Sequence, residues 1–370
     1  MTKEVNIHWF RNDLRLDDNP SLTKATENSE LIPIYIFDEN ATVDFNHGEA
    51  SLTWLYESLK LLNKSLESRL LIFKGDPLKI LIELKNKNNV SGIYWNRNYA
   101  PWEIKRDTII KQEIKKTGIV CETFNGNLLW EPWEILKKDG TPYKVFTPFY
   151  RKGCLGSSPP RVPLPKPPKI NLKQNIVKNN EFDINKTNTN NWQKSILSHA
   201  LIGEKKAFER LEFFIKNGLK NYKDGRNFPS LDNVSRLAPN FHFGEISPNK
   251  VWYTVVNNKQ NENTDHFLSE LGWREFSNHL LYHFPQFIYE NLQKKFDGFP
   301  WKNDGIALKK WQKGLTGFPL VDAGMRELWQ TGSMHNRLRM VVGSFLVKNL
   351  LIDWRHGAKW FWNCLFDADI

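Results

Sequence analysis

The sequence predicts an α/β domain built on a parallel sheet, followed by an all-α domain, and three observations carry this. Short apolar runs alternate with amphipathic stretches over the first 130 residues, a proline-rich basic connector follows, and helical periodicity then replaces the strand pattern. The runs "VNIHWF", "ELIPIYIFD", "RLLIFKGD", "SGIYWNR" and "GIVCETFNG" read as buried strands. Between them, "EASLTWLYESLKLLNKSLES" repeats its apolar residues at three and four, as a helix covering a sheet does. In "FKGDPLKIL", Asp76 is placed to cap a helix and Pro77 to open it. The turn after the first strand reads "FRNDLRLDDNP" in place of Gly-x-Gly-x-x-Gly, which argues against a standard dinucleotide pocket there. Its charges, Arg11, Asp13, Arg15, Asp17 and Asp18, are read first as a solvated loop of ion pairs, and second as a ligand or interdomain contact.

Six prolines fall within residues 159–168, and residues 155–180 hold five Lys or Arg and no acid, which describes an extended basic connector. An Asn- and Lys-rich surface loop is expected to run on to about Asn191. The expected division is therefore 1–130 for the α/β domain, 131–194 for the linker and 195–370 for the helical domain. In the last of these, "EKKAFERLEFFIKNGLKNY" and "NRLRMVVGSFLVKNLLIDW" are the clearest helical stretches.

With 40% hydrophobic and 25% charged residues in 370, the chain is an ordinary globular protein. Its longest apolar run, "VVGSFLVKNLLI", is interrupted by Lys348, so no membrane span is expected. The start, "MTKEVNIHWF", lacks the features of a signal peptide, and a cytoplasmic protein is expected. Cys121, Cys154 and Cys364 are too few and too far apart for a disulfide framework or a Cys-x-x-Cys metal site, and are expected to be buried or inert. A net charge of +11 favours a polyanionic partner such as nucleic acid, or a Lys-rich surface kept for solubility. The 15 Trp and 24 Phe suit a planar ligand or stacked bases, or simply a large core.

Four stretches can carry chemistry. In "SMHNRLRMVVGSFLVKNLLIDW", Ser333 is a plausible N-cap, and Arg337 and Arg339 in the opening turns oppose the helix dipole. An anion compensates them, or they point into water. In "ELGWREFSNHLLYHFP", Glu270 and Arg274 fit an ordinary i,i+4 surface pair, the preferred reading; alternatively Trp273 stacks on a flat ligand whose edge its neighbours bond. "GRNFPSLDNVSRLAPNFHFGEIS" is too punctuated for helix or strand, and its amides with Ser235 can cradle a phosphate. Asp367 and Asp369 form a closely spaced acid pair suited to acid–base work or to answering the arginines, with metal binding the poorest choice.

Taken together, these stretches resemble the photolyase/cryptochrome family over nearly the whole chain, above all "GFPLVDAGMRELWQTGSMHNRLRMVVGSFLVKNLLIDWR". "HWFRNDLRLDDNPSL" looks like its first strand and turn, "EPWEILKKDGTPYKVFTPFYRKGC" its interdomain entry, and "SRLAPNFHFGEIS" its flavin phosphate loop. The nearest subgroup is that of bacterial cyclobutane pyrimidine dimer photolyases. The resemblance implies a Rossmann-like antenna domain and a helical FAD-binding domain, and a second chromophore (a folate, a deazaflavin or a flavin) near "NRNYAPWEIKRD".

By position, Tyr222 and the loop Ser235, Arg236, Leu237 and Ala238 would hold FAD, Arg339 would pair with Asp367 against the flavin ring, and Asp369 would lie beside it. Arg226, Glu270, Trp273, Arg274, Asn336, Arg337 and Met340 would line a cavity for a pyrimidine dimer flipped out of DNA, with Trp273 stacking on it and Glu270 bonding a base edge. Trp354 and Trp301 would belong to a tryptophan chain carrying electrons to the flavin. The implied activity is light-driven dimer repair by a monomer with no membrane contact; the alternatives are a cryptochrome-type photoreceptor and a non-catalytic DNA-binding fragment. Two departures stand out. Val234 and Ala238 replace the family's usual small hydroxyl residues. The asparagine, Trp-rich segment and helices that follow "D-x-D" in the family are not present after Asp369, so a chain lacking its C-terminal part and an open flavin pocket are expected.

Overall fold

A computed structural model describes residues 4–39, 46–179, 181–186, 189–291 and 293–370. Residues 1–3 of the start, and Asn180, Thr187 and Asn188 of the Asn- and Lys-rich loop, lie outside the described residues.

Five strands, β1 (Glu4–Phe10), β2 (Ser29–Asp38), β3 (Leu71–Gly75), β4 (Gly92–Asn96) and β5 (Val120–Phe124), form one parallel sheet in the order β3-β2-β1-β4-β5. All four pairings are parallel, because each strand is followed by a crossover long enough to return to the starting edge. Alternation of side chains divides β1 between two faces. Val5, Ile7 and Trp9 pack with Leu81, Leu84, Ile110 and Ile114, on the side of helices α3 (Pro77–Asn88) and α4 (Pro101–Lys116). Phe10 instead joins Leu22, Trp54, Leu55 and Leu59, from α1 (Pro20–Ala25) and α2 (Glu49–Ser65). Both faces are thus covered, which is why the strands read as near-continuous apolar runs. The Asp76 carboxylate caps α3, accepting from the amides of Leu78 (2.9 Å) and Lys79 (3.2 Å).

After β5 the described elements are helical. One core packs Phe214, Tyr222, Phe267, Leu271 and Phe276; another packs Trp311, Met325, Leu338, Phe345 and Cys364. All three cysteines are free and buried. Among the described residues no helix is long and apolar enough to cross a membrane.

Three local expectations need correction. The turn after β1 is not solvated: Asp13, Arg15 and Asp18 are each at most 1% exposed. The Arg15 guanidinium donates to the carbonyls of Asp17, Asp18, Gly126 and Gly244. Asp18 accepts from Arg161 (2.6 Å), the Leu164 amide (2.8 Å) and Ser247, while Glu204 accepts from the Leu16 and Asp17 amides. The charges therefore knot the sheet's turn to the linker and to the helical half, the second-ranked interdomain reading. Gly244 belongs to this junction because its φ is +64° and a Cβ there would lie 1.9 Å from the Asn12 carbonyl oxygen.

The periodic stretch from Ser333 to Trp354 is helical only over Asn336–Ser344, which runs into a wider turn to Asn349; the chain leaves the helix at 350–353, and Trp354 opens the next one, Trp354–Cys364. Its cap is His335, whose Nδ1 accepts from the Arg337 amide at 3.2 Å, and not Ser333. Within the punctuated loop, Ala238–His242 is a short helix with Pro239 in its first turn.

Candidate functional site

Where the helical half meets α2, a cavity of about 410 Å³ opens. Tyr222, Ser235, Arg236, Leu237, Ala238, Arg339 and Asp367 line it, and so do Arg226, Glu270 and Asn336. Residues expected to hold a cofactor and residues expected to meet a substrate thus share one space. At one side, Arg339 donates from one terminal nitrogen to both Asp367 oxygens at 2.9 Å and from Nε to the Met334 carbonyl. Asp367 is nearly buried, so this pair fixes a compensated charge in the wall. Arg226 is paired with Glu270 and lies 5.4 Å over the Tyr222 ring. The sequence pairing of Glu270 with Arg274 is therefore wrong. Arg274 instead bonds the Asn127 carbonyl (2.7 Å) and reaches Glu275 (3.4 Å), while Glu270 is taken by Arg226.

Two further features bear on what the cavity accepts. His335 lines it with Nδ1 occupied by the Arg337 amide, so in the neutral ring Nε2 carries the proton, and that buried atom has no partner among the described residues. Burial and the surrounding guanidiniums of Arg236, Arg337, Arg226 and Arg339 push its pKa down. A ring held neutral amid four arginines, with an unmet donor, fits a ligand bearing anionic or acceptor oxygens. The loop itself is braced by Arg210, which donates to the carbonyls of Val234 and Ser235 and forks onto Asp232. Arg236 takes the left-handed conformation, φ +56°, just before the Ala238–His242 helix. The backbone geometry is thus set without the hydroxyls that Val234 and Ala238 lack. Trp54, Leu237, Met334 and Phe366 supply apolar wall, so a flat group with a polar edge and an anionic part matches the lining. These are the demands of FAD.

Trp54 is held from behind. Its Nε1–H donates to Glu245 at 3.1 Å, the Asn240 amide nitrogen donates to the same carboxyl at 2.7 Å, and no cation pairs with Glu245 among the described residues. Ser58 Oγ neighbours that carboxyl without an aligned hydrogen bond. Burial without a cation raises the Glu245 pKa to about 7 from its ordinary 4.5. The folded state then holds more protons than the unfolded chain between these values, so the stabilising contribution is complete below pH 4.5 and is lost as pH rises to about 7. Compared with Glu245→Gln, the wild-type protein should lose more thermal stability between pH 5 and pH 7.5, by at most about 1.4 kcal/mol per pH unit. Parallel melting curves for the two proteins would refute this.

The remaining expected residues lie off this cavity wall. Trp273 is 46% exposed, one turn from Glu270. Arg337 is exposed and bonds Asn227 Oδ1, and Met340 is exposed. Trp354 donates to Asn291 Oδ1 at 3.2 Å, and Trp301 packs on Phe299 at 4.3 Å. Asp369 is separated from Asp367: it faces His242 at 3.6 Å on the wall of a second cavity of about 560 Å³. That cavity lies at the C-terminal ends of β1–β3 and is also lined by Trp102, Glu103 and Arg106 of the segment "NRNYAPWEIKRD". No cluster of metal-ligating side chains exists among the described residues. Arg210, Glu245 and Trp54 were not foreseen as site residues; the only sequence trace of Glu245 is its place in "HFGEIS".

A doubly wound parallel sheet joined to a helical half, with a cavity for a large flat anionic ligand at their junction, defines a nucleotide-cofactor protein of two-part design. Comparison with known proteins gives the class. Residues 6–169 match the family described as DNA photolyase, and residues 267–370 match the FAD binding domain of DNA photolyase. The deoxyribodipyrimidine photo-lyase of Agrobacterium fabrum is 41% identical over 375 residues, covering 98% of this chain and 77% of that protein. Cryptochrome-2 of Arabidopsis thaliana is 34% identical over 392 residues, covering 98% of this chain and 63% of its own length. The crystal structure of a bacterial class III photolyase from Agrobacterium tumefaciens superimposes with a TM-score of 0.93 at 40% identity, covering 100% of this chain and 77% of that one. This chain belongs to the photolyase/cryptochrome family.

Proposed function

We propose that this chain repairs cyclobutane pyrimidine dimers in DNA, using light and a bound FAD. The single observation that carries this is the shared cavity, in which Arg339 and Asp367 face the same space as Arg226, Glu270 and Asn336. Tyr222, the Ser235–Ala238 loop and Arg339 would hold FAD, which would supply the light-driven one-electron chemistry for opening the cyclobutane ring with no net oxidation. The protein's residues do the rest. Arg339 presents positive charge to the flavin side of the cavity while Asp367 keeps it in place. Arg226 aims the Glu270 carboxylate at the substrate side, where it accepts from a base N–H, and the Asn336 amide answers a base carbonyl. Trp54, Phe366 and Leu237 exclude water. Trp354 and Trp301 are assigned to electron supply on the family resemblance. The net charge of +11 holds DNA phosphates, making binding salt-dependent.

The second cavity is proposed to hold an antenna pigment. It opens at the carboxyl ends of the strands where a doubly wound sheet binds ligands, and Tyr35, Tyr56 and Trp102 give it flat walls.

The test is an oligonucleotide carrying one thymine dimer, incubated with the FAD-loaded chain and a chemical reductant. Blue light should restore the two thymines and darkness should not. A flavin-loaded chain that binds DNA but repairs nothing under light would remove the enzyme reading and leave the cryptochrome one, which the 34% identity to Cryptochrome-2 of Arabidopsis thaliana keeps in view.

A further inference from the structure

In "VFTPFYRKG", Phe146 and Tyr150 are four residues apart, across a short helix (Phe146–Pro148) that runs into a wider turn (Phe149–Cys154). Their rings therefore lie on one side of the backbone, 5.7 Å apart and 6° from parallel. Trp273 adds a third layer, with its ring 3.7 Å from Phe146 and 9° from parallel. The stack is anchored at its inner end. Tyr150 is buried, and the Glu262–His283 helix presses on it through Gly272, where a Cβ would come within 2.4 Å of the Tyr150 ring. Arg151 lies 5.4 Å over the same ring and is itself fixed by two bonds to Asp265 (2.8 and 2.6 Å). Phe276 closes the edge of Trp273, 5.9 Å away at 73°. One indole face is thus occupied and one edge blocked, while Trp273 as a whole remains 46% exposed.

We propose that Phe146 is a positioning residue that holds Trp273 flat, leaving its solvent face as a pre-set platform for the flipped pyrimidine dimer. The proposal rests on the repair reading above. An exposed indole without such a backing would have to give up its rotamer freedom when a base arrives; here that ordering is done in the fold, and affinity gains by it. The stack also explains why a large aromatic stands at Phe146, half-buried at the surface, where packing alone would accept an aliphatic chain.

The experiment compares FAD-loaded wild type, Phe146→Leu and Phe146→Tyr for binding to a single-stranded oligonucleotide with one thymine dimer and to its undamaged twin, with flavin content measured for each. Phe146→Leu keeps bulk but loses the plane, and should weaken dimer binding roughly 3- to 10-fold with undamaged binding unchanged. Phe146→Tyr restores the plane and should match wild type. Unchanged dimer binding in Phe146→Leu, equal losses on both oligonucleotides, or a Tyr variant as weak as the Leu variant would overturn the proposal. A wild-type protein with no preference for the dimer would instead bring down the repair reading itself, before any variant is compared.

Discussion

Arg15→Ala should cost about 3–5 kcal/mol of folding stability, the range for removing one partner from a buried charged network. The side chain is 1% exposed and satisfies four carbonyls, from Asp17, Asp18, Gly126 and Gly244. Alanine leaves these unpaired and removes a buried cation from the turn, while the Asp18 carboxylate keeps Arg161, the Leu164 amide and Ser247. Arg15→Lys should recover little, since an ammonium cannot fork to four acceptors spread over two directions. Because the network ties β1 to the linker and to Gly244, urea unfolding of Arg15→Ala should separate into two transitions. A single transition within about 1 kcal/mol of wild type would mean that the junction is held by packing alone.

Arg339→Ala should weaken FAD binding roughly 10- to 100-fold, the worth of a charge-assisted hydrogen bond to a nearly buried group. Removing the guanidinium takes positive charge from the cavity and leaves Asp367 facing the ligand as a bare carboxylate. Asp367→Asn should cost less, because its amide oxygen still accepts from Arg339 and the cation stays. Titration of flavin-free protein with FAD, followed by flavin fluorescence, orders the three proteins. Equal affinities would show that the pair faces no bound flavin.

Much of the fold was legible because its signals are local. Each of the five apolar runs became a strand, and Asp76–Pro77 opened α3 as the spacing predicts. The charged turn after β1 was misread for a non-local reason: its partners are Gly126, Leu164, Glu204, Gly244 and Ser247, which no window around Arg15 contains. The Glu270–Arg274 pairing failed in the same way. The i,i+4 rule describes an isolated helix, whereas Arg226, 44 residues upstream, reaches Glu270 in the folded chain. Resemblance located Arg339 and Asp367 as partners, and their contact follows. It did not indicate His335, whose unmet Nε2 shows only once the arginines around it are in place.

The most direct test of the central claim, that the cavity between Arg339 and the Ser235–Ala238 loop is a flavin site, is to denature the purified 370-residue protein and quantify released FAD against protein. The expected result is a stoichiometric amount of FAD in wild type, sharply reduced in Arg339→Ala. Folded wild-type protein that carries no flavin and takes up none when FAD is added would contradict it.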